Sequence, residues 1–327
     1  MALSQMEVFN QYIMQTTIET LAQMVDKFNA ASNGAIMLTT DGFTGDFLQQ
    51  SFYAAIHGAR RRVNRHSPNG SVPPVDLTQL KHSTVKVAGG FGPVRFEPSQ
   101  MTWLNKPTAE GVEVASRNFA EALLQDQLNT AVLALVAAIG NQGADTVIDV
   151  SAAKNVDYLA INESHALFGD HSAQLVASVM DGMAYHTFIG QNITNKDRLF
   201  VAGNVQVVDI LGRVTIVTDA PALFTPAPPS PSTDPALRRV LSLVAGAAMV
   251  HDSRDLISNI QTSNGKERIE TTLQVDYTFG VGLQGYSWDE ANGGKSPGDE
   301  DLGTGANWTK VASSVKQTAG VMAVGKA

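Results

Sequence analysis

The chain has 327 residues, of which 17% are Asp, Glu, Lys or Arg against about a quarter in an average soluble protein, while 43% are hydrophobic. It contains no cysteine, which excludes disulfides, thiolate metal sites and thiol nucleophiles. A net charge of -8 argues against nucleic-acid binding through a broad basic surface.

The 36 Asn and Gln residues supply uncharged hydrogen-bonding groups, suited to a surface largely covered by copies of the same chain. The opening MALSQMEVFNQYIMQTT lacks the basic region and apolar core of a signal peptide. No unbroken run of 18 apolar residues occurs, so no membrane span is predicted.

Phe9, Ile13, Ile18, Leu21, Val25 and Phe28 recur at spacings of mostly three and four, which predicts an amphipathic helix over 6–31, stopped by Ser32-Asn33-Gly34. A short apolar run, Ala35 to Leu38, follows. A second helix is predicted from Asp46 as N-cap, with Leu48, Phe52, Ile56 and Ala59 on one face.

The charge then changes sign. Residues 57–106 hold Arg60, Arg61, Arg62, Arg65, Lys81, Lys86, Arg95 and Lys106 against only Asp76 and Glu97, whereas the rest of the chain carries 15 basic and 29 acidic residues. Turn signals at Ser67-Pro-Asn-Gly70 and Pro73-Pro74 precede the alternating Thr84-Val85-Lys86-Val87-Ala88. Residues 60–106 therefore read as an exposed, basic, two-stranded excursion.

After Pro107 a helical pattern runs from 108 to 140, a rod of roughly 50 Å at ~1.5 Å per residue. Two helices are predicted next, over 156–168 and 172–189, separated by Gly169-Asp170. Strands over 205–211 and 213–218 meet at Gly212. Five prolines between Thr225 and Pro235 exclude helix and central strand there. The stretch from Leu237 to Val250 is apolar. From Arg268 the chain alternates, with Ile269, Leu273, Val275, Tyr277, Phe279, Val281 and Leu283 on one face, which predicts a half-buried antiparallel strand bent at Gly280 and Gly282. A glycine-rich acidic loop over 289–305 and a last strand near 311–324 complete the chain.

Catalytic chemistry finds little support. His165, Asp170 and His171 are candidates for a metal-dependent hydrolase, but a six-residue spacing puts the two imidazoles far out of phase on a helix, and the Gly-Asp break intervenes. Gly89-Gly90-Phe91-Gly92-Pro93 has a phosphate loop's glycines without its Lys-Ser/Thr pair. Gly-x-Ser-x-Gly and His-Glu-x-x-His are both absent. No catalytic residue, cofactor or metal is predicted. Trp103, Trp288 and Trp308 do not interleave with basic residues, and read as interface or core anchors.

The segment Val85 to Phe96, then Met101-Thr102-Trp103-Leu104 and Leu128-Asn129-Thr130-Ala131, resembles the major capsid proteins of tailed double-stranded-DNA bacteriophages. So do Asn162 to Asp170 (NESHALFGD), Arg213 to Asp219 (RVTIVTD), Val281 to Trp288 (VGLQGYSW), Asn307-Trp308 and Lys316 to Gly320. The departure is at Gly89-Gly90, where basic residues are expected.

The resemblance implies an α+β, Hong Kong 97-like capsid fold with a long spine helix, an antiparallel sheet, an extended β-hairpin loop and a separate axial domain. The expected organisation is an N-terminal helical region over 1–59, the extended loop over 60–106 and a peripheral domain with the spine helix over 107–149. The axial domain then takes 150–225 and a proline-rich strap 226–236, with peripheral strands and the C-terminal region over 237–327.

The implied function is a subunit that self-assembles, as pentamers and hexamers, into an icosahedral shell enclosing double-stranded DNA. Implied partners are a separate scaffolding protein, a portal, a decoration or cement protein, and packaged DNA through weak, non-specific contact, with no membrane. The implied location is the virion shell, assembled in the host cytoplasm. Intersubunit contact is expected at Arg60, Arg61, Arg62, Arg65, Lys81, Lys86, Arg95, Trp103 and Lys106. Covalent cross-linking through Lys81 or Lys86 is not expected. The competing classes are the hydrolase above and another virion component, such as a tail or cement protein.

Overall fold

A computed structural model describes residues 3–39, 45–53, 62–66, 68, 71, 79–96, 109–195, 209–210, 213–229, 234–253, 255–265, 267 and 269–327. In chain order the elements are α1 (Leu3–Ala31), β1 (Ile36–Thr39), β2 (Phe47–Tyr53), β3 (Gln79–Phe96), α2 (Ala109–Gly140), β4 (Val147–Asp149), α3 (Tyr158–Ala166), β5 (Leu175–Met180) and α4 (Gly182–Asn195). They continue with β6 (Asp209–Ile210), β7 (Arg213–Val217), β8 (Phe224–Thr225), β9 (Leu237–Val244), β10 (Ala248–Asp252), β11 (Ile257–Ser263), β12 (Glu270–Leu283), β13 (Tyr286–Trp288), α5 (Asp299–Leu302), β14 (Trp308–Lys310) and β15 (Gly320–Lys326).

Helix α2 is the hub. Ala120, Leu123, Ala131, Val132, Ala134, Leu135, Ala138 and Ile139 are all buried on it, and their small and large side chains let α1 and both sheets approach from different sides. The segment Ser116–Gly140 is long and apolar enough on average to cross a membrane, though it holds no unbroken run of 18 apolar residues, and more than half of it is buried inside the fold. At the end of α1, Asn33 takes a positive φ of 51°. Asn29 then bonds both ways to Leu38, donating from Nδ2 to its carbonyl at 2.7 Å and accepting from its amide at 3.0 Å, which fixes where β1 begins.

The first sheet runs β1-β10-β12-β13-β14, with β11 and β3 also paired to β12, and, among the described residues, β2 paired to β3 alone. Its inner face carries Val275, Tyr277, Phe279, Val281 and Leu283 from the period-two set read from the sequence, whereas Leu273 is half-buried and Ile269, before the strand, is exposed. The second sheet runs β4-β15-β9-β5-β7-β6, with β8 on β9. Val156, Ala160, Ile161, Tyr185 and Phe188 from α3, α4 and the segment before α3 pack on it in a second cluster.

Several expectations change. The helix predicted from Asp46 is strand β2, in register with β3 from Phe47↔Val85 to Tyr53↔Gln79. Leu48 and Phe52 satisfied a helical spacing, but a distant partner strand decides the conformation, and local periodicity cannot show that partner. The β2–β3 pairing consequently begins at Phe47, before the predicted 60–106, and Val85–Phe96 of that stretch lies in the sheet beside β12 rather than in an exposed excursion.

The helix predicted over 172–189 is a 3₁₀ turn, then β5, with helix only from Gly182. Leu175–Met180 is a central strand covered on both faces, and its continuous apolar run cannot be told from a buried helix by period. The last strand starts at Gly320, not Val311, after the short β14 and a 3₁₀ turn.

Nor does the chain beyond 236 enter one sheet. β10 to β14 join the first, but β9 and β15 form the centre of the second, where β9 pairs with both β5 and β15. The predicted bend at Gly280 and Gly282 is regular ladder, and the irregularity falls between Leu273 and Val275, opposite the cis Gly92-Pro93 bond. Gly92 has φ 107° there, and a Cβ on it would lie 2.7 Å from the Leu273 carbonyl oxygen, so only glycine fits this bulge.

Candidate assembly surface

Strand β3 divides at Val85. From Val85 to Phe96 it pairs with β12, and from Gln79 to Val85 it pairs with β2. The lower half lies in the first sheet, and the upper half with β2 makes an arm. The departure at Gly89-Gly90 now has a packing reason: a Cβ on Gly89 would lie 2.8 Å from the Tyr277 ring, and one on Gly90 2.8 Å from Asp276 Oδ1. A side chain at Gly89 would press on the Tyr277 ring, whereas at Gly90 the exposed Asp276 carboxylate can turn aside and the tight neighbour is the Val275 carbonyl. Tyr277 itself donates to Asp126 Oδ2 on α2 at 2.7 Å, tying the sheet to the helix. Burial, then that hydrogen bond and the Asp126 charge, push the Tyr277 phenol far up, so it remains a donor.

Three of the expected contact residues pair within the chain. Lys81 Nζ lies 2.7 Å from Glu290 Oε1, which also accepts from Gln49 Nε2 at 2.8 Å and Ser83 Oγ at 2.9 Å. Glu290 is held below the usual carboxylate range, first by the Lys81 hydrogen bond and, against burial, by Ser83 and Gln49 as well. Lys86 Nζ lies 3.3 Å from Asp255 Oδ2, and Thr278 Oγ1 donates to the same carboxylate. Burial raises Asp255, but the Thr278 and Lys86 hydrogen bonds outweigh it and hold the carboxyl low. Arg95 Nη1 lies 3.1 Å from Glu270 Oε1.

Arg62 and Arg65 are exposed, while Arg60, Arg61, Trp103 and Lys106 lie outside the described residues. Trp288 and Trp308 are core anchors, their rings in edge contact with centroids 4.9 Å apart. The sequence reading missed Glu290, Asp255 and Glu270, because each becomes a partner only once β3 lies beside β12 and β13. For Glu270 alone a local signal exists, its place on the polar face of the alternating strand.

The hydrolase candidates do not share a site. His165 is buried, with Nε2 2.9 Å from Ser242 Oγ on β9 and its other ring nitrogen against the Arg213 guanidinium. Arg213 also donates to the Ser172 carbonyl at 2.8 Å. Burial first, and the Arg213 charge second, lower His165 to about 4, so the ring is neutral at pH 7. Nδ1 then accepts from Arg213 and Nε2–H donates to Ser242. Asp170 instead ion-pairs with Lys316 at the surface. Among the described residues no three His, Asp or Glu side chains are grouped to hold a metal.

What these residues build is a two-sheet α+β subunit with a charged arm, and its fold is that of phage capsid chains. It is similar to a chain of the cyanophage Pam1 capsid asymmetric unit, at 13% identity over 89% of this chain and 88% of that one with a TM-score of 0.51. It is similar in the same way to a chain of the Ralstonia phage GP4 capsid, at 12% identity over 90% of this chain and 88% of that one with a TM-score of 0.51. No curated protein matches. The sequence matches the major capsid protein 13-like family over residues 5–322, and the chain belongs to that family. The protein is a phage major capsid protein, a structural subunit of the virion's capsid shell.

Proposed function

We propose that copies of this chain form pentamers and hexamers that close into an icosahedral shell around double-stranded DNA, with heterologous contacts repeated around each ring. In this reading the fold is Hong Kong 97-like. Helix α2 is the spine, the first sheet with α1 and α2 is the peripheral domain, and the second sheet with α3 and α4 is the axial domain. The β2–β3 arm is the extended loop. Assembly takes place in the host cytoplasm around a separate scaffolding protein, with a portal and a decoration or cement protein as further partners.

The observation that carries this reading is the arm. Among the described residues strand β2 pairs with β3 alone, so the hairpin leaves the β12 ladder at Val85, and residues 54–78 between its strands include Arg60, Arg61, Arg62 and Arg65. Since Lys81, Lys86 and Arg95 pair inside the chain, contact with the acidic surface of a neighbour falls to that arginine group. Many moderate contacts of this kind suit a shell, because a single very strong interface traps wrongly assembled forms. Packaged DNA is contacted weakly, since the chain outside 57–106 carries 29 acidic residues against 15 basic.

The triple substitution Arg60→Glu, Arg61→Glu and Arg62→Glu should leave a folded subunit that forms no shells by negative-stain microscopy. Normal shells from that variant would refute the electrostatic reading of the arm.

A further inference from the structure

We propose that Glu290 is a positioning residue for assembly: it sets the angle at which the β2–β3 arm leaves the body, and so which neighbouring subunit the arm can reach. The proposal rests on the arm's being a contact element, and it adds the residue that aims it.

One carboxylate oxygen, Glu290 Oε1, receives Gln49 Nε2 from β2 at 2.8 Å, and Lys81 Nζ and Ser83 Oγ from β3 at 2.7 and 2.9 Å. Both strands of the arm are therefore gathered at a single point. That point lies beyond the last rung of the β12 ladder, Val281↔Val85, where backbone pairing no longer ties β3 to the body. Two contacts flank it. The Ser83 amide donates to Ser287 Oγ at 2.9 Å, and His82 Nε2 lies 3.0 Å from the Leu283 carbonyl oxygen.

The body side of the clamp is rigid for separate reasons. Trp288 Nε1 donates to the Gly294 carbonyl at 3.0 Å, and the Asp289 amide donates to the Asn307 carbonyl at 2.9 Å. Asp289 Oδ1 accepts the Ala291 amide at 2.9 Å, closing the turn that carries Glu290. The arm side is different. The Lys81 and Glu290 side chains are 53% and 32% exposed, so water competes for the Lys81 and Gln49 contacts, while the Ser83 contact is sheltered. A direction is thus fixed by side chains that can be exchanged without unfolding either part. A purely structural ion pair has no reason to gather both strands of a projecting hairpin onto one oxygen.

The absence of native cysteine makes the test direct. In the full-length chain, spin labels on Val63→Cys in the arm and Met249→Cys on the first sheet, both exposed positions, report the arm's angle as a distance distribution. Glu290→Gln and Glu290→Ala should each broaden that distribution at least two-fold with little change in Tm, and Lys81→Glu combined with Glu290→Lys should narrow it again. Glu290→Gln keeps the side chain's shape and serves if the alanine variant folds poorly.

An unchanged, narrow distribution in both single variants overturns the proposal. So does equal broadening by Asp255→Asn, which loosens β3 on the other side of Val85. The label measurement needs no shells, so its failure is separable from that of the arginine experiment, which reads shells alone.

Discussion

The two halves of β3 are held by different physics. Below Val85 the strand shares a backbone ladder with β12, and Val85, Val87, Phe279 and Val281 are buried against the helices beneath it. Above Val85, among the described residues, it shares a ladder with β2 alone, and past the buried Ser83 and Thr84 its attachment to the body is a set of polar side chains around Glu290. Burial of apolar area is strong and does not depend on direction, whereas exposed polar contacts are weak and geometrically specific. One strand thus joins a stable body to an arm that can be aimed.

That contrast can be broken from either side. The largest effect should come from the buried half: Phe279→Ala removes a ring that is 1% exposed and should cost about 3–5 kcal/mol in denaturant unfolding. A loss under about 1 kcal/mol would mean that the lower half is no more firmly held than the arm.

Next comes the buried polar group of the second sheet. His165 is lowered from 6.5 to about 4 in the folded protein, so the unfolded chain binds the extra proton first as pH falls. Stability from this group is complete above pH 6.5 and is lost progressively between pH 6.5 and about 4, by at most about 3 kcal/mol. His165→Asn should remove that part of the slope in a pH series of Tm. An unchanged slope would place the acid sensitivity elsewhere.

The smallest effect should be that of Asp255→Asn, which breaks the half-exposed pair with Lys86 but keeps an acceptor for Thr278. It should cost no more than about 1 kcal/mol, and less at high salt. A larger loss would show that the side-chain pairs, and not the β12 ladder, hold the lower half.

Much of this architecture was legible because it obeys local rules. The alternation from Val275 to Leu283 marks the inner face of β12, though Ile269, at its predicted start, lies before the strand and is exposed, and the run between Pro107 and Gly140 marks α2 to within a residue. Residues 175–180 and 47–53 were misread for opposite reasons. The first is apolar on both faces and has no period to detect, and the second has a helical spacing that a distant strand overrides. The proline-rich strap is expected to lie between the axial domain and peripheral strands, yet β9 directly after it lies at the centre of the second sheet, beside β5.

The charge division is where sequence and structure contributed most distinctly. The sequence alone determined that eight basic residues stand together in a chain of net charge -8, since charge is a property of composition and order. It also determined the periods of the helices and of the amphipathic strands, which follow from backbone geometry acting over a few residues. Only the tertiary structure decided that Lys81, Lys86 and Arg95 are neutralised by Glu290, Asp255 and Glu270. Those partners are brought up by strand pairings that join residues far apart in the chain, and no local pattern encodes such a pairing.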